Sequence, residues 1–109
     1  MALIEHLAQK EIKARQHARN APRFDAGWTH DDDVFVAEVK SLTGTSEEQQ
    51  IRLGIGQILD YAHQLRSTHP DDRIRPVLVL EKQPTDPRWT SVADQSGILL
   101  TWAPDFAGC

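Results

Sequence analysis

The chain has 109 residues, of which 39% are hydrophobic and 26% charged, and this length suits one domain with its own core but not two. Its single cysteine excludes a disulfide framework and a zinc site made of thiolates. The net charge of −4 argues against a protein that coats nucleic acid, and without an apolar run of roughly 18 residues or a signal-peptide segment we expect a cytoplasmic protein with no membrane span.

The first predicted element is a helix from residue 2 to about 18. Its apolar residues Leu3, Leu7 and Ile12 form a loose stripe, and no glycine or proline interrupts them. The segment 19–22 closes with a proline, which is typical of the residues that follow a helix. We therefore expect a helix that is followed by a short break.

Basic residues are concentrated in and after this helix. Residues 1–24 carry five basic and two acidic residues, a balance of +3, whereas the remainder carries seven basic and fourteen acidic residues, a balance of −7. Such an asymmetry can mark a nucleic-acid contact, although a solvated helix face explains it equally well. The candidate nucleic-acid-binding residues are Lys10, Lys13, Arg19 and Arg23, together with Arg52 farther along the chain.

A β-hairpin is predicted next. Residues 24–29 alternate between apolar and polar side chains, which predicts a strand with Ala26 on one face and Asp25 on the other. A polar turn at 30–33 and a strand at 34–40, which opens with an apolar run at 34–37, complete the hairpin. The three aspartates of the turn are compatible with a cation site, but a polar hairpin turn is the favoured interpretation.

A long helix is predicted from about residue 47 to 66. Ser46 and Gln49 have the spacing of a capping box at its start. Its apolar residues recur at spacings of four and three, the pattern of a core-facing helix. They are Ile51, Ile55, Ile58, Ala62 and Leu65.

Three shorter elements are predicted in the last third of the chain. The strand 74–81 contains four consecutive apolar residues, which indicates burial on both faces. Asp86 and Pro87 have the residue types of an N-cap and a first helical position, and they open a short helix to about residue 95. A strand at 98–102 ends the order α-β-β-α-β-α-β, which predicts an α/β sandwich around a mixed sheet.

Glu38, Val39 and Lys40 close the second strand of the hairpin. Because side chains alternate along a strand, Glu38 and Lys40 lie on one face and Val39 on the other. Mg²⁺ takes oxygen ligands and commonly uses one or two carboxylates, which Asp25 and Glu38 would supply, with the Val39 carbonyl as a third oxygen. Lys40 would orient or activate an attacking water and stabilise developing negative charge. A surface ion pair between Glu38 and Lys40 is the alternative interpretation.

This pattern resembles the PD-(D/E)xK nuclease superfamily, which includes many restriction endonucleases, Mrr-like enzymes and recombination exonucleases. The resemblance rests on Asp25, the Glu38-Val39-Lys40 tripeptide and the long helix that follows. Within that helix Gln57 and Tyr61 are similar to the Q-x-x-x-Y signature of the exonuclease branch, and residues four apart share a helix face. Gly54 extends this face and would let a strand or a phosphate approach closely.

The resemblance covers about residues 24–81, and its implications for fold and chemistry are specific. It implies a restriction-endonuclease-like three-layer sandwich over residues 1–109 and Mg²⁺-dependent hydrolysis of phosphodiester bonds, chiefly in DNA, with Mn²⁺ as a substitute. The implied catalytic residues are Asp25, Glu38, Lys40, Gln57 and Tyr61. The implied metal ligands are Asp25, Glu38, Val39 and an acidic residue of the first helix, Glu11 in preference to Glu5.

The chain also departs from the superfamily pattern. Two strands precede the long helix where the superfamily core has three, and Phe24 stands where a proline is expected before the aspartate. An inactive nuclease-fold module that binds nucleic acid or a protein partner therefore stays open as an alternative, as does a structural domain of a larger assembly. If the chain cuts duplex DNA, its small size leads us to expect a homodimer or a partner subunit. Trp89 is interpreted as a packing residue, with base stacking as the alternative.

Overall fold

The computed structural model describes residues 2–9, 25–42 and 46–108. Within these ranges the elements follow the predicted order. They are helix α1 (Ala2–Gln9), strands β1 (Ala26–His30) and β2 (Asp33–Lys40), helix α2 (Glu47–Thr68), strand β3 (Arg73–Leu80), helix α3 (Arg88–Gln95) and strand β4 (Leu99–Trp102). The part of the first helix predicted beyond Gln9 lies outside the described residues. None of the described helices is long and apolar enough to cross a membrane.

The four strands form one mixed sheet in the order β1-β2-β3-β4. The first pair is antiparallel, and β2, β3 and β4 run parallel to one another. The hairpin turn is tighter than predicted, because only Asp31 and Asp32 lie between the strands, with φ angles of 51° and 69°. Two-residue turns with positive φ match the twist of a hairpin, so His30 pairs with Asp33 instead of lying in the turn.

Buried side chains form two groups that the sheet separates. The group called here the α2-side core includes Val36, Ile51, Ile58, Ala62, Leu65, Ile74, Leu78, Leu80, Trp89 and Ala93. The group called the α1-side core includes Leu3, Leu7, Ala26, Trp28, Ala37, Val77, Val79 and Phe106. Helices therefore cover both faces of the sheet, which confirms the predicted α/β class with a mixed sheet flanked by helices and is compatible with three layers.

Helix α2 follows the predicted stripe and cap. Four of the five predicted core positions are buried, and the fifth, Ile55, packs at the edge of the α2-side core. The Ser46 hydroxyl accepts a hydrogen bond from the Gln49 N–H at 3.4 Å, as the capping pattern predicts. The helix runs two residues farther than predicted, to Thr68, and the N–H of His69 donates to the carbonyl of Leu65 at its end.

The last three elements deviate from the predictions by single residues at their ends. Strand β3 begins at Arg73, and its four consecutive apolar residues are buried as predicted. Helix α3 begins at Arg88, one residue later than predicted, although the Asp86 carboxylate accepts the Arg88 N–H at 2.9 Å in the manner of a cap. Gly97, with a φ of 73°, separates this helix from β4.

Candidate functional site

Asp25 and Glu38 lie close together at one end of the hairpin. Strand β1 begins at Ala26, which is paired with Ala37, so Asp25 lies just before the strand in which it was predicted. The Asp25 N–H donates to the Ala37 carbonyl at 2.9 Å, and the charge of Asp25 acts on the Glu38 carboxylate. The two carboxylates that the sequence pattern singled out are therefore neighbours.

The backbone of Val39 holds the Asp25 side chain in place. Oδ2 of Asp25 accepts a hydrogen bond from the Val39 N–H at 2.7 Å. In an extended strand the N–H and the carbonyl of one residue point to the same side, so the Val39 carbonyl also points toward the β1 edge. The Val39 side chain packs on the α1-side core, on the opposite face from Glu38. The predicted third oxygen is thus on the same side of β2 as Asp25.

Glu38 and Lys40 form an ion pair in a largely buried position. Nζ of Lys40 lies 3.4 Å from Oε1 of Glu38, and the two side chains are 14% and 9% exposed. This is not the solvated surface pair of the alternative interpretation. A pair removed from water to this degree is expensive to form, because both groups lose hydration.

The electrostatic environment disfavours the ionised form of Glu38. Burial is the largest cause that raises the pKa of Glu38 above its usual 4.5, and the charge of Asp25 raises it further. The charge of Lys40 and its hydrogen bond lower the pKa but do not offset the other two causes. An added positive charge beside Glu38 would offset part of this cost.

Three buried side-chain oxygen atoms have no hydrogen-bond partner within the described part of the chain: Oε2 of Glu38, Oε1 of Gln57 and Oγ1 of Thr101. The Thr101 hydroxyl lies on β4, beyond β3 from the carboxylates, so the first two are the ones that concern this site. A buried acceptor without a donor costs about 1–3 kcal/mol, so proteins seldom carry one without a reason. The oxygens of Glu38 and Gln57 are hard acceptors, the type that Mg²⁺ or its water ligands satisfy.

On helix α2, Gln57 lies closer to the two carboxylates than Tyr61 does. Gly54 contacts the stem of Lys40, and α2 must run opposite to β2 because the strands on either side of it in sequence are parallel. Gln57 is three residues farther along, about 4.5 Å down the helix, which brings it near the level of Glu38. Tyr61 is about 10.5 Å from the level of Gly54 and packs against the α2-side core.

Arg52 lies on the other flank of α2, toward α3. Its guanidinium pairs with Glu48 at 2.7 Å and lies 6.0 Å from the ring of Trp89. Arg88 covers the same ring at 4.4 Å, and Trp89 is only 4% exposed. The interpretation of Trp89 as a packing residue is confirmed. Arg52 lies on the α3 side of α2, so any contact it makes with nucleic acid would not be beside Asp25.

The remaining predicted site residues fall outside the described ranges. They are Glu11, Lys10, Lys13, Arg19 and Arg23. Across residues 2–9, 25–42 and 46–108 no group of three or more histidine, cysteine or acidic side chains is arranged to hold a metal ion. Within these ranges the predicted protein ligands are thus the carboxylates of Asp25 and Glu38 and the carbonyl of Val39.

Two carboxylates that tie loops together at this end of the sheet had not been singled out in the sequence. Glu81 accepts the N–H of Leu42, and Glu47 accepts both the N–H and the hydroxyl of Thr85. The signal that could have indicated them is the parallel arrangement of β2 and β3, which brings the segments that follow the two strands to the same edge of the sheet. These bonds fix the loops beside Lys40.

Comparison with known proteins supports the fold. No protein-family model and no curated protein matches the chain at a significant level. Among solved structures, the chain is similar to the crystal structure of a protein of unknown function, AF1548, with a TM-score of 0.68 and 12% sequence identity. The similarity covers 94% of this chain and 56% of that one, so the chain spans little more than half the length of its structural relative. At this identity the likeness shows a shared fold and carries no function.

Proposed function

We propose that the protein is a Mg²⁺-dependent nuclease of the PD-(D/E)xK type with a restriction-endonuclease-like fold, which hydrolyses phosphodiester bonds in DNA. The observation that supports this proposal is the arrangement of Asp25, Glu38 and Lys40. The two carboxylates are neighbours at one end of the hairpin, and the ammonium lies 3.4 Å from that of Glu38. Metal-assisted hydrolysis uses this combination of groups.

The residues present fit a divalent cation. Oε2 of Glu38 has no donor among the described residues, and burial and the charge of Asp25 disfavour the ionised form of Glu38. Mg²⁺ usually keeps several waters and takes one or two carboxylates, so Asp25 and Glu38 with the Val39 carbonyl are a sufficient protein set. Mn²⁺ accepts the same oxygen ligands. The bound cation would supply Lewis-acid stabilisation of charge on the phosphate.

The side chains of the site have separate tasks in this proposal. Asp25 and Glu38 orient the cation, and the hydrogen bond from Val39 to Asp25 keeps that carboxylate in position. Lys40 donates hydrogen bonds to the attacking water or to a phosphate oxygen as negative charge develops. Gln57, whose Oε1 is buried without a donor from residues 2–9, 25–42 and 46–108, orients a water or a substrate group from the α2 side, and Tyr61 supports the same helix face.

Substrate binding requires positive charge, which the described residues supply sparsely. The basic residues between 10 and 24 are the proposed phosphate contacts, with Glu11 as a proposed additional metal ligand. A homodimer or a partner subunit is proposed for cleavage of duplex DNA, because a chain of 109 residues has little surface for its own recognition domain. Mass measurement on size-exclusion chromatography, with and without DNA, tests the assembly.

The test of the function is cleavage of single-stranded and duplex DNA and of RNA by purified protein with Mg²⁺ or Mn²⁺. We expect cleavage, and we expect Glu38→Gln and Lys40→Met each to lower kcat by about 10²- to 10³-fold, because each removes a group that acts on the transition state. Two matched controls at the opposite end of the sheet, Asp71→Asn and Arg73→Gln, should retain full activity. Absence of cleavage of every substrate, together with unchanged Mn²⁺ affinity in Glu38→Gln, would refute the proposal.

An inactive nuclease-fold module is the second candidate function. The observation that favours it is that one oxygen of each carboxylate already has a protein partner, Val39 for Asp25 and Lys40 for Glu38. In that case the site is a structural network, and binding to nucleic acid or a protein partner does not need metal. Binding measured in EDTA, with the same affinity for wild type and Lys40→Met, would support this candidate over the nuclease.

A further inference from the structure

Gly54 lies on the face of α2 that packs on the sheet, beside the stem of Lys40. A Cβ atom built on Gly54 would lie 3.0 Å from Cγ of Lys40 and 2.6 Å from Cδ1 of Leu78. Non-bonded carbon atoms are most stable about 3.5–4.0 Å apart. The sequence pattern predicted a close approach here by a strand or a phosphate, but the space is filled by two side chains from two neighbouring strands.

This close approach determines the course of the Lys40 side chain. The stem passes between α2 and β2, and its ammonium ends 3.4 Å from Oε1 of Glu38. Only 14% of the side chain is exposed. A lysine at the end of a strand would otherwise extend into water, where its ammonium is strongly hydrated. The position of the ammonium therefore depends on the room that α2 leaves for the stem.

Both side chains that touch Gly54 must yield to a methyl group at this position. Cδ1 of Leu78 lies 2.6 Å from the added Cβ and Cγ of Lys40 lies 3.0 Å from it, so the Leu78 contact is the tighter one. Leu78 is fully buried in the α2-side core, where close packing leaves it little room. Lys40 lies at the margin of that core and has four rotatable bonds that lead toward solvent. A methyl group at position 54 should thus press on Leu78 and, because Leu78 has little room, also drive the Lys40 stem toward solvent.

We infer that Gly54 is a positioning residue for Lys40: the lack of a side chain at this point of α2 holds the ammonium against Glu38. The structural part of this inference stands on the contacts of Gly54 alone. Its catalytic consequence rests on the proposed nuclease function, because only then does the placement of the ammonium affect a reaction.

The first test measures where Lys40 lies, without any assay of activity. Gly54→Ala is compared with Gly56→Ala, a matched change two residues away on the same helix with nothing within 4 Å of the added Cβ. The protein is treated with an acetylating reagent, and mass spectrometry gives the rate at Lys40 relative to exposed Lys82. We expect this ratio to rise about fivefold or more in Gly54→Ala, since burial and the ion pair are lost, and to stay unchanged in Gly56→Ala.

A second variant separates positioning from general loosening of the core. Leu78→Val removes a methylene from the same contact and costs about 1 kcal/mol of stability without adding atoms near Lys40. We expect Lys40 to stay protected in this variant. Equal acetylation of Lys40 in Leu78→Val and Gly54→Ala would overturn the inference, as would a Gly54→Ala ratio equal to that of wild type in folded protein.

The kinetic test uses the same variants with DNA and Mg²⁺. We expect Gly54→Ala to lower kcat about 10- to 100-fold with KM changed less than twofold, because the ammonium acts on charge in the transition state. Gly56→Ala should match wild type. If the wild-type protein cleaves nothing, the proposed nuclease function is refuted, and the acetylation result alone decides on Gly54. If the wild-type protein is active and Gly54→Ala has an unchanged kcat, the positioning role is refuted, and the proposed nuclease function stands.

Discussion

At the scale of single residues, Glu38 is the group in the site whose ionised form is most clearly disfavoured by its surroundings. Its side chain is 9% exposed and faces a second carboxylate, and its pKa is raised by burial and by Asp25. If this position served only the fold, an uncharged residue in place of Glu38 would make the protein more stable. The proposed cation would offset the cost of this buried carboxylate.

The stability of the protein should decrease with pH because of Glu38. Its pKa is about 4.5 in the unfolded chain and higher in the folded one, so between these values the folded protein binds more protons. The contribution of Glu38 is therefore largest below pH 4.5 and is lost as the pH rises through the folded pKa. Urea unfolding across this range should show that the free energy of unfolding of wild type, minus that of Glu38→Gln, falls with pH.

Addition of Mg²⁺ provides the control for this prediction. A cation that binds the ionised carboxylate stabilises the folded state, and more strongly above the raised pKa than below it. Wild type should gain stability from Mg²⁺ at neutral pH, and Glu38→Gln should gain little. Equal gains in both proteins would show that the cation binds elsewhere.

At the scale of the elements, α2 is held to the rest of the molecule by polar contacts at its first turn. Glu47 accepts two hydrogen bonds from Thr85, and Glu48 pairs with Arg88 at 2.7 Å. Arg88 is also bonded to Asp86, which caps the start of α3. Both helices are therefore fixed at the edge where Lys40 and Glu81 lie, and the position of Gln57 depends on this attachment.

Loss of this attachment should destabilise the protein. Glu47→Ala removes both bonds to Thr85 and a negative charge at the helix N-terminus, so we expect the free energy of unfolding to fall by about 1 kcal/mol. Urea denaturation measures the change. Gln49→Ala, an exposed position in the same turn, is the control and should change stability by less than about 0.5 kcal/mol. A similar loss in both variants would mean that helix propensity, and not the attachment, is responsible.

At the scale of the whole molecule, charge is divided between two parts of the chain. Residues 1–24 have a balance of +3 and the remainder has a balance of −7, and the proposed metal site belongs to the acidic part. An acidic surface repels DNA, so binding must come from the basic segment or from a partner. This division predicts a strong dependence of DNA binding on salt.

The salt dependence identifies the residues that contact phosphate. Replacement of Lys10, Lys13, Arg19 and Arg23 by glutamine should reduce the slope of log affinity against log salt by up to about 3.6, since each phosphate contact on duplex DNA contributes about 0.9. Fluorescence anisotropy with labelled duplex in EDTA gives the slopes. Arg73→Gln, at the far end of β3 from Lys40, should leave the slope unchanged. An unchanged slope in the fourfold variant would assign binding to another surface.

Local patterns were sufficient to predict the elements and their order. The stripe from Ile51 to Leu65 has the period of a helix, and the run from Val77 to Leu80 is typical of a strand buried on both faces. The ends of elements were less predictable. The hairpin turn consists of Asp31 and Asp32 only, shorter than predicted, because cross-strand pairing extends to His30. Such pairing cannot be read from the sequence of either strand alone.

The sequence by itself determined that Glu38 and Lys40 share a face of β2, since alternation along a strand is a local property of the backbone. It also predicted Asp25 on the neighbouring strand, whereas β1 begins one residue later, at Ala26. Only the tertiary structure decided that Asp25 lies near Glu38, that Glu38 is buried with one oxygen lacking a donor among the described residues, and that Gly54 makes room for Lys40. The reason is physical: burial, desolvation and steric fit depend on groups that are distant in sequence and meet only when α2 packs on the sheet.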